Sequence, residues 1–102
     1  MEFSLAMTTT ASREDAEALA EAIIANKLAA CVQIAEITSV YEWEGKLNKS
    51  AEFLLMIKGR ADRFAKLREF VLAQHRYELP ELVRIDIADG NPAYLAWLRG
   101  VG

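Results

Sequence analysis

The residues best suited to chemistry lie in one short stretch of the chain, His75–Glu81. It holds the only histidine and one of the two prolines in the sequence. A loop dense in ionisable and rigid side chains is a common place for a binding or catalytic site in a small domain. His75 is a candidate metal ligand or proton carrier. The alternative is a cap, in which a partly cationic imidazole neutralises the negative end of the helix that the preceding residues predict.

Further candidates are two carboxylates and a thiol. Glu78 and Glu81 flank Pro80 and form a candidate carboxylate pair. General acid–base chemistry would require one of them to be buried, whereas the alternative is a pair of solvated charges or an ion pair between chains. Cys31, the only cysteine, is either a soft-metal ligand or a small buried hydrophobic residue. One cysteine and one histidine cannot complete a tetrahedral zinc site, so carboxylates or other subunits would have to complete it.

The sequence lacks the motifs that usually mark an enzyme. It has no glycine-rich phosphate loop, no CxxC or HExxH motif, and no Ser-His-Asp or Cys-His set at nucleophile spacing. We therefore expect no enzymatic activity and no catalytic residue.

Composition narrows the class of protein further. The 102 residues are 53% hydrophobic and 26% charged, which is typical of one packed domain covering residues 1–102. A net charge of −3 with scattered lysines and arginines argues against nucleic-acid binding. The longest uncharged apolar run, Ala93–Leu98, is too short for a membrane span. The N-terminus has no signal-peptide pattern, so we expect a cytoplasmic protein that binds no membrane.

Hydrophobic periodicity predicts strands and helices in the order β-α-β-β-α-β-α. The predicted strands cover residues 2–10, 27–46, 47–59 and 82–88, and the predicted helices cover 12–26, 62–74 and 93–99. Ser12, Asp62 and Asn91 are the expected N-caps. Asn26 is the expected left-handed residue after the first helix, and Gly45 is the expected pivot of the turn between the second and third strands.

The long second strand changes the side on which its apolar residues lie. Val32 and Ile34 share one parity, whereas Tyr41 and Trp43 share the other. We expect either a bulge near Ala35–Glu36 or a far half that buries its opposite face against something else.

This element order predicts an α+β fold, the ferredoxin-like βαββαβ sandwich with an extra C-terminal helix and a long hairpin between the second and third strands. Its uncovered sheet face would carry apolar side chains, which other copies of the chain would cover. Four aromatic residues with polar ends are candidates for this subunit interface, although core packing is the alternative. They are Tyr41, Trp43, Tyr77 and Trp97.

A family resemblance rests on five groups of residues spread along almost the whole chain. They are Lys27–Val32, Ser39–Lys46, Glu52 with Lys58, His75–Glu81 and Tyr94–Leu98. Together they resemble the CutA family of divalent-cation tolerance proteins. The resemblance implies a ferredoxin-like subunit of a tight homotrimer, in which long hairpin strands pair across subunits. It also implies binding of copper or another divalent metal ion and a role in the response to metal ions.

The resemblance also singles out residues for metal binding. By position, Cys31 and His75 match the metal-ligand candidates of the family. Glu78 and Glu81 lie in the matching motif and could add oxygen ligands.

Three other functions remain open. The first is a small-metabolite-sensing signalling trimer that resembles nitrogen-regulatory proteins, which share the subunit fold and bind metabolites between subunits. The second is an acylphosphatase-like enzyme on the same fold, which the lack of a glycine-rich anion cradle beside Thr8–Thr10 disfavours. The third is a stable scaffold without a ligand.

Overall fold

The computed structural model describes residues 1–101 and contains every element that the periodicity predicts. The elements are β1 (Phe3–Thr10), α1 (Arg13–Ala25), β2 (Cys31–Trp43), β3 (Lys46–Arg60), α2 (Phe64–Gln74), β4 (Val83–Ile87) and α3 (Pro92–Gly100). A short 3₁₀ turn, Ala61–Arg63, leads into α2. The predicted element order is therefore confirmed.

The four strands form one antiparallel sheet in the order β2-β3-β1-β4, and α1 and α2 pack on one of its faces. Ile23 of α1, Leu55 of β3 and Val71 of α2 are fully buried between the two layers. Burial of each such side chain contributes about 1.5–3 kcal/mol. Ala16 and Ala20 are buried in the same core, where their small size lets α1 lie close to the strands. This is the predicted ferredoxin-like sandwich.

The last helix, α3, packs on the opposite face of the sheet. Side chains alternate between the two faces along a strand, so Phe3 points away from the layer that buries Ala6. Phe3 is buried with Ala30 and Leu98 in a second, smaller apolar cluster. The predicted C-terminal addition therefore covers one end of this face.

Beyond α3, this face carries apolar residues that no element covers in the single chain. We call it the open face and define it by Leu5, Met7, Ile37, Leu54, Met56, Val83 and Ile85, which the strand register places on the same side of the sheet. Val83 and Ile85 are 45% and 49% exposed. Arg84, on the helix side of β4, lies over the ring of Phe64 at 5.6 Å from its centroid. The apolar side of β4 thus faces solvent, which is typical of a surface that another molecule covers.

β2 and β3 form a long regular hairpin. Their pairing runs without interruption from Cys31↔Lys58 to Trp43↔Lys46, so the bulge expected near Ala35–Glu36 is wrong. The apolar side of β2 changes without a bulge because α1 covers only its first part. From Val40 onward the strand is exposed, so its side chains are not required to continue the pattern of the core.

Three predicted end points are confirmed. Ser12 Oγ accepts a hydrogen bond from the Asp15 N–H at 3.0 Å and so caps α1. Asn91 Oδ1 accepts one from the Ala93 N–H at 3.0 Å and so caps α3. The hairpin turns at Gly45, where a φ of 75° favours glycine.

Two predicted end points are wrong. The left-handed residue after α1 is Lys27, with a φ of 57°, because Asn26 still donates its backbone N–H to Ala22 O at 3.0 Å within the last helical turn. Asp62 does not cap α2, because the Arg60 guanidinium holds its carboxylate at 2.7 and 3.1 Å. The 3₁₀ turn starts α2 without a side-chain cap.

Candidate functional site

A groove lies between the projecting half of the β2–β3 hairpin and the loop after α2. Its volume is about 830 Å³. Tyr41 and Trp43 line it from the hairpin, and residues 77–81 line it from the loop. Its lining includes three glutamates, Glu52, Glu78 and Glu81, and no lysine or arginine. We call this the hairpin–loop groove; its charge favours a positively charged ligand.

The loop that forms one wall is tied to β1 at both ends. Pairing between β1 and β4 stops at Met7↔Val83, so the last residues of β1 have no strand partner on that side. His75 Nε2 lies 2.7 Å from Thr9 O, and Thr8 Oγ1 donates to Glu81 O at 2.6 Å. These two contacts hold residues 76–80 across the end of β1.

The imidazole of His75 uses both of its ring nitrogens inside the chain. Nε2 must carry the proton, because its partner, Thr9 O, is a carbonyl oxygen that can only accept. Nδ1 must be bare, because it accepts the backbone N–H of Tyr77 at 3.1 Å. The ring is therefore a neutral Nε2–H tautomer. His75 ends α2, where its backbone N–H donates to Val71 O at 2.9 Å, but its imidazole reaches β1 and is not the cationic cap that was the alternative.

Tyr77 links the loop to the hairpin. Its hydroxyl donates to a carboxylate oxygen of Glu52 on β3 at 2.7 Å. Its ring also packs on that of His75, with the centroids 4.9 Å apart. Burial, and then the hydrogen bond to the Glu52 carboxylate, raise the pKa of Tyr77. Tyr77 is consequently a neutral donor that fixes one oxygen of a groove carboxylate.

The structure does not bring Cys31 and His75 together. Cys31 is half-buried at the start of β2, in the row of residues that contains Lys58 and Leu5. His75 is anchored to Thr9, four residues further along β1 than Leu5. At a rise of about 3.3 Å per residue, the two rows are about 13 Å apart.

Glu78 and Glu81 are exposed at the groove. Within residues 1–101, no group of three His, Cys, Asp or Glu side chains could hold a metal ion. The predicted ligands therefore do not fit a complete metal site in one chain. What one chain offers is carboxylate oxygens at the groove, which are ligands that divalent cations accept.

The four aromatic candidates fall into two places. Tyr41, Trp43 and Tyr77 lie in the hairpin–loop groove, and Tyr41 and Trp43 are 44% and 43% exposed. Trp97 lies apart from them, exposed on α3 beside Tyr94, with 5.6 Å between the ring centroids. Their role in a subunit interface stays a prediction.

Thr8 and Thr9 have a role that the sequence alone does not show. Beyond ending a strand, the Thr8 hydroxyl and the Thr9 carbonyl hold the loop. The signal in the sequence is the run of three threonines at the end of a predicted strand, because a hydroxyl that is buried there needs a nearby partner, as the Thr8 hydroxyl has in Glu81 O.

One further observation concerns membranes. Among residues 1–101, none of the helices has the length and apolar character needed to cross a bilayer.

Comparison with known proteins places the chain in one family. Residues 4–101 match the family described as CutA1 divalent ion tolerance protein. The divalent-cation tolerance protein CutA of Thermus thermophilus is 44% identical over 94 residues, which cover 91% of this chain and 91% of that protein. The Arabidopsis thaliana relative named Protein CutA, chloroplastic, is 46% identical over 92 residues, 89% of this chain. The match spans only 50% of that plant protein.

A solved structure shares the whole architecture. The structure of the divalent cation tolerance protein (Cut A1) from Thermus thermophilus is similar to this chain with a TM-score of 0.91 and 41% sequence identity, over 96% of each chain. The family match at residues 4–101 spans the strands, the helices and the His75–Glu81 loop, and the structural match covers 96% of the chain. The chain therefore belongs to the CutA1 family of divalent ion tolerance proteins.

Proposed function

We propose that this chain is the subunit of a cytoplasmic homotrimer that binds copper or another divalent cation, takes part in the response to metal ions, and catalyses no reaction. The observation that carries the proposal is the hairpin–loop groove, which has three glutamates and no lysine or arginine in its lining. The trimer binds neither nucleic acid nor membranes. The names of the two Thermus thermophilus relatives support a divalent cation, since they describe divalent-cation tolerance proteins.

The open face supports the proposed assembly. Exposed apolar residues such as Val83 and Ile85 lose contact with water when a second copy covers them. The hairpin projects beyond the helices and offers a further strand surface to a neighbour. The proposal of three subunits and not two rests on the family resemblance.

Assembly also provides the ligands that one chain lacks. We place the cation where the groove of one copy meets another copy, with Glu78 and Glu81 as the oxygen ligands of the first. Cys31 is half-buried and remote from the groove of its own chain, so it takes part only if a neighbouring copy approaches it. His75 uses both ring nitrogens within the chain and supplies no ligand in this arrangement.

A metabolite-sensing trimer is not favoured. The family that matches residues 4–101 is the CutA1 family, and the relatives carry its name.

Titration calorimetry with Zn(II) and Cu(II) tests the cation and its site. The double variant Glu78→Gln, Glu81→Gln removes two charges and two anionic ligands from the groove. We expect its dissociation constant to rise by at least about tenfold, which corresponds to about 1.4 kcal/mol. The double variant Glu17→Gln, Glu69→Gln is the matched control, because both are exposed glutamates on helices outside the groove and their loss removes the same two charges.

Two results would count against the proposal. One is a wild-type protein that binds neither ion at micromolar concentration. The other is an equal loss of affinity in the control variant and the groove variant, since a general loss of negative charge would then explain the effect.

A further inference from the structure

We propose that His75 is a positioning residue and not a metal ligand: its neutral imidazole joins β1 to the loop and sets Tyr77 against Glu52 in the hairpin–loop groove. The family resemblance pointed to the opposite role. The inference rests on four contacts among the described residues, and it holds whether or not the protein binds a cation.

The two ring nitrogens of His75 are already engaged within the chain. A metal ion binds imidazole through a bare nitrogen whose lone pair points at it. In this chain the bare nitrogen, Nδ1, points at the Tyr77 N–H, 3.1 Å away. The other nitrogen, Nε2, carries the proton that it donates to Thr9 O at 2.7 Å. Coordination through either nitrogen would break one of these bonds.

The bond from Nε2 of His75 supplies a partner for the Thr9 carbonyl. Thr9 lies beyond the end of the β1–β4 pairing, so the imidazole gives its carbonyl a partner where no strand does. Thr9 is buried, and a buried carbonyl without a partner would cost about 1–3 kcal/mol. The imidazole thus completes the hydrogen bonding at the open end of the sheet.

Tyr77 connects His75 to the hairpin–loop groove. Nδ1 fixes the backbone of Tyr77, and the two rings pack with 4.9 Å between their centroids. With backbone and ring both fixed, the Tyr77 hydroxyl reaches the Glu52 carboxylate at 2.7 Å. His75 therefore acts on the groove through Tyr77 and contacts no ligand itself.

Cys31, the other ligand expected from the resemblance, lies far from His75 within the chain. Its row of the sheet is about 13 Å along the strands from the anchor of His75, at about 3.3 Å per residue. The side chain that would share a soft metal with His75 within the chain is therefore out of reach.

Nitrogen-15 NMR of the intact protein tests the inference directly. His75 is the only histidine, so the imidazole spectrum reports one residue. At about pH 8 we expect the proton on Nε2 and a coupling across the hydrogen bond between Nδ1 and the Tyr77 amide nitrogen. Both signals should stay unchanged when one equivalent of Zn(II) per chain is added.

Two results would overturn the inference in the wild-type protein. One is a proton on Nδ1. The other is a shift or broadening of either ring nitrogen that follows the amount of Zn(II) added. A protein that shows the expected tautomer but binds no Zn(II) would refute the proposed function and leave the role of His75 in place.

A pair of variants separates the two bonds. His75→Asn keeps an acceptor near the position of Nδ1, whereas His75→Gln keeps a donor that can reach Thr9. We expect slow hydrogen exchange of the Tyr77 amide to survive in His75→Asn and to be lost in His75→Gln. Zn(II) affinity should fall by less than about threefold in both, because each variant loosens the loop but removes no ligand. A tenfold loss of affinity in both, with Tyr77 exchange unchanged, would instead make His75 a ligand.

Discussion

At the level of single residues, the arrangement of the hairpin–loop groove is set by neutral side chains as well as by carboxylates. Tyr77 donates to Glu52, and His75 holds Tyr77 in place. The two exposed glutamates of the loop, Glu78 and Glu81, are presented by a segment fixed at both ends to β1. A rigid segment matters for binding because ligands that are already in position lose less conformational entropy when a cation arrives.

The raised pKa of Tyr77 gives a prediction about stability at alkaline pH. Burial and the Glu52 carboxylate raise this pKa in the folded state above the value of about 10 for an unfolded tyrosine. The contribution of the neutral phenol is complete below about pH 10 and is lost as the pH rises toward the folded pKa, since only the unfolded state releases the proton there. The free energy of unfolding should therefore fall above about pH 10.

Tyr77→Phe removes the titrating group. We expect it to lower stability by about 0.5–1.5 kcal/mol at neutral pH through the lost hydrogen bond. We also expect a flatter decline above about pH 10 than in the wild type. Urea unfolding at a fixed protein concentration across this pH range measures both effects. Parallel declines in the two proteins would show that Tyr77 is not the group responsible.

Residue types in the sequence predict where the candidate site lies but not how its parts are joined. A lone histidine beside Tyr77 and two glutamates points to the loop, and the structure places that loop at the groove. The tautomer of His75 could not be predicted, because it depends on Thr9 O, 66 residues away along the chain. Glu52 entered only through the family resemblance, since its role depends on a tyrosine that the fold brings from another element.

At the level of elements, the long hairpin is the part of the fold that projects and that forms one wall of the groove. Its regular pairing from Cys31 to Trp43 depends on a two-residue turn at Glu44 and Gly45. Both turn residues have positive φ, of 54° and 75°, which suits the right-handed twist of the two strands.

Replacing Gly45 by alanine should destabilise the hairpin. A Cβ at this position meets no atom within 4 Å, so the cost comes from the φ of 75° and not from a clash. We expect a loss of about 1 kcal/mol in the free energy of unfolding. Gly90→Ala is the control, because its Cβ would make an ordinary contact with Leu95 at 3.5 Å. Equal stability of wild type and Gly45→Ala in chemical denaturation would contradict this account of the turn.

Element types and their order were predictable, because the 2-residue and 3.6-residue periods reflect burial by neighbouring layers. The change of parity in β2 predicted either a bulge or a far half buried on its opposite face, and the regular pairing excludes the bulge. The sequence does not show where α1 stops covering the strand. The cap assigned to Asp62 was wrong for a similar reason. The Asp62 carboxylate could bond either the free N–H groups of the helix or the Arg60 guanidinium, and in the structure it pairs with Arg60.

At the level of the whole molecule, two features of the single chain are incomplete: the cover of its sheet and the set of ligands for a cation. The open face exposes apolar side chains to water, and within residues 1–101 no three potential ligands meet around a metal ion. The proposed trimer completes both at once, because the copies that cover the open face also bring ligands to one another.

An acidic substitution on the open face should separate the copies. Ile85→Glu places a charge where the proposed interface excludes water, and burying it there would cost several kcal/mol. Leu72→Glu is the matched control, because Leu72 is 48% exposed and Ile85 is 49% exposed, but Leu72 lies on α2, away from the open face.

Native mass spectrometry of these three proteins with Zn(II) tests the central proposal most directly, since one spectrum reports the number of chains and the number of bound ions. For the wild type and Leu72→Glu we expect three times the 11.4 kDa chain, carrying zinc. For Ile85→Glu we expect single chains without zinc. A wild-type single chain that carries zinc, or a wild-type trimer that carries none, would contradict the proposal that the copies complete a shared cation site.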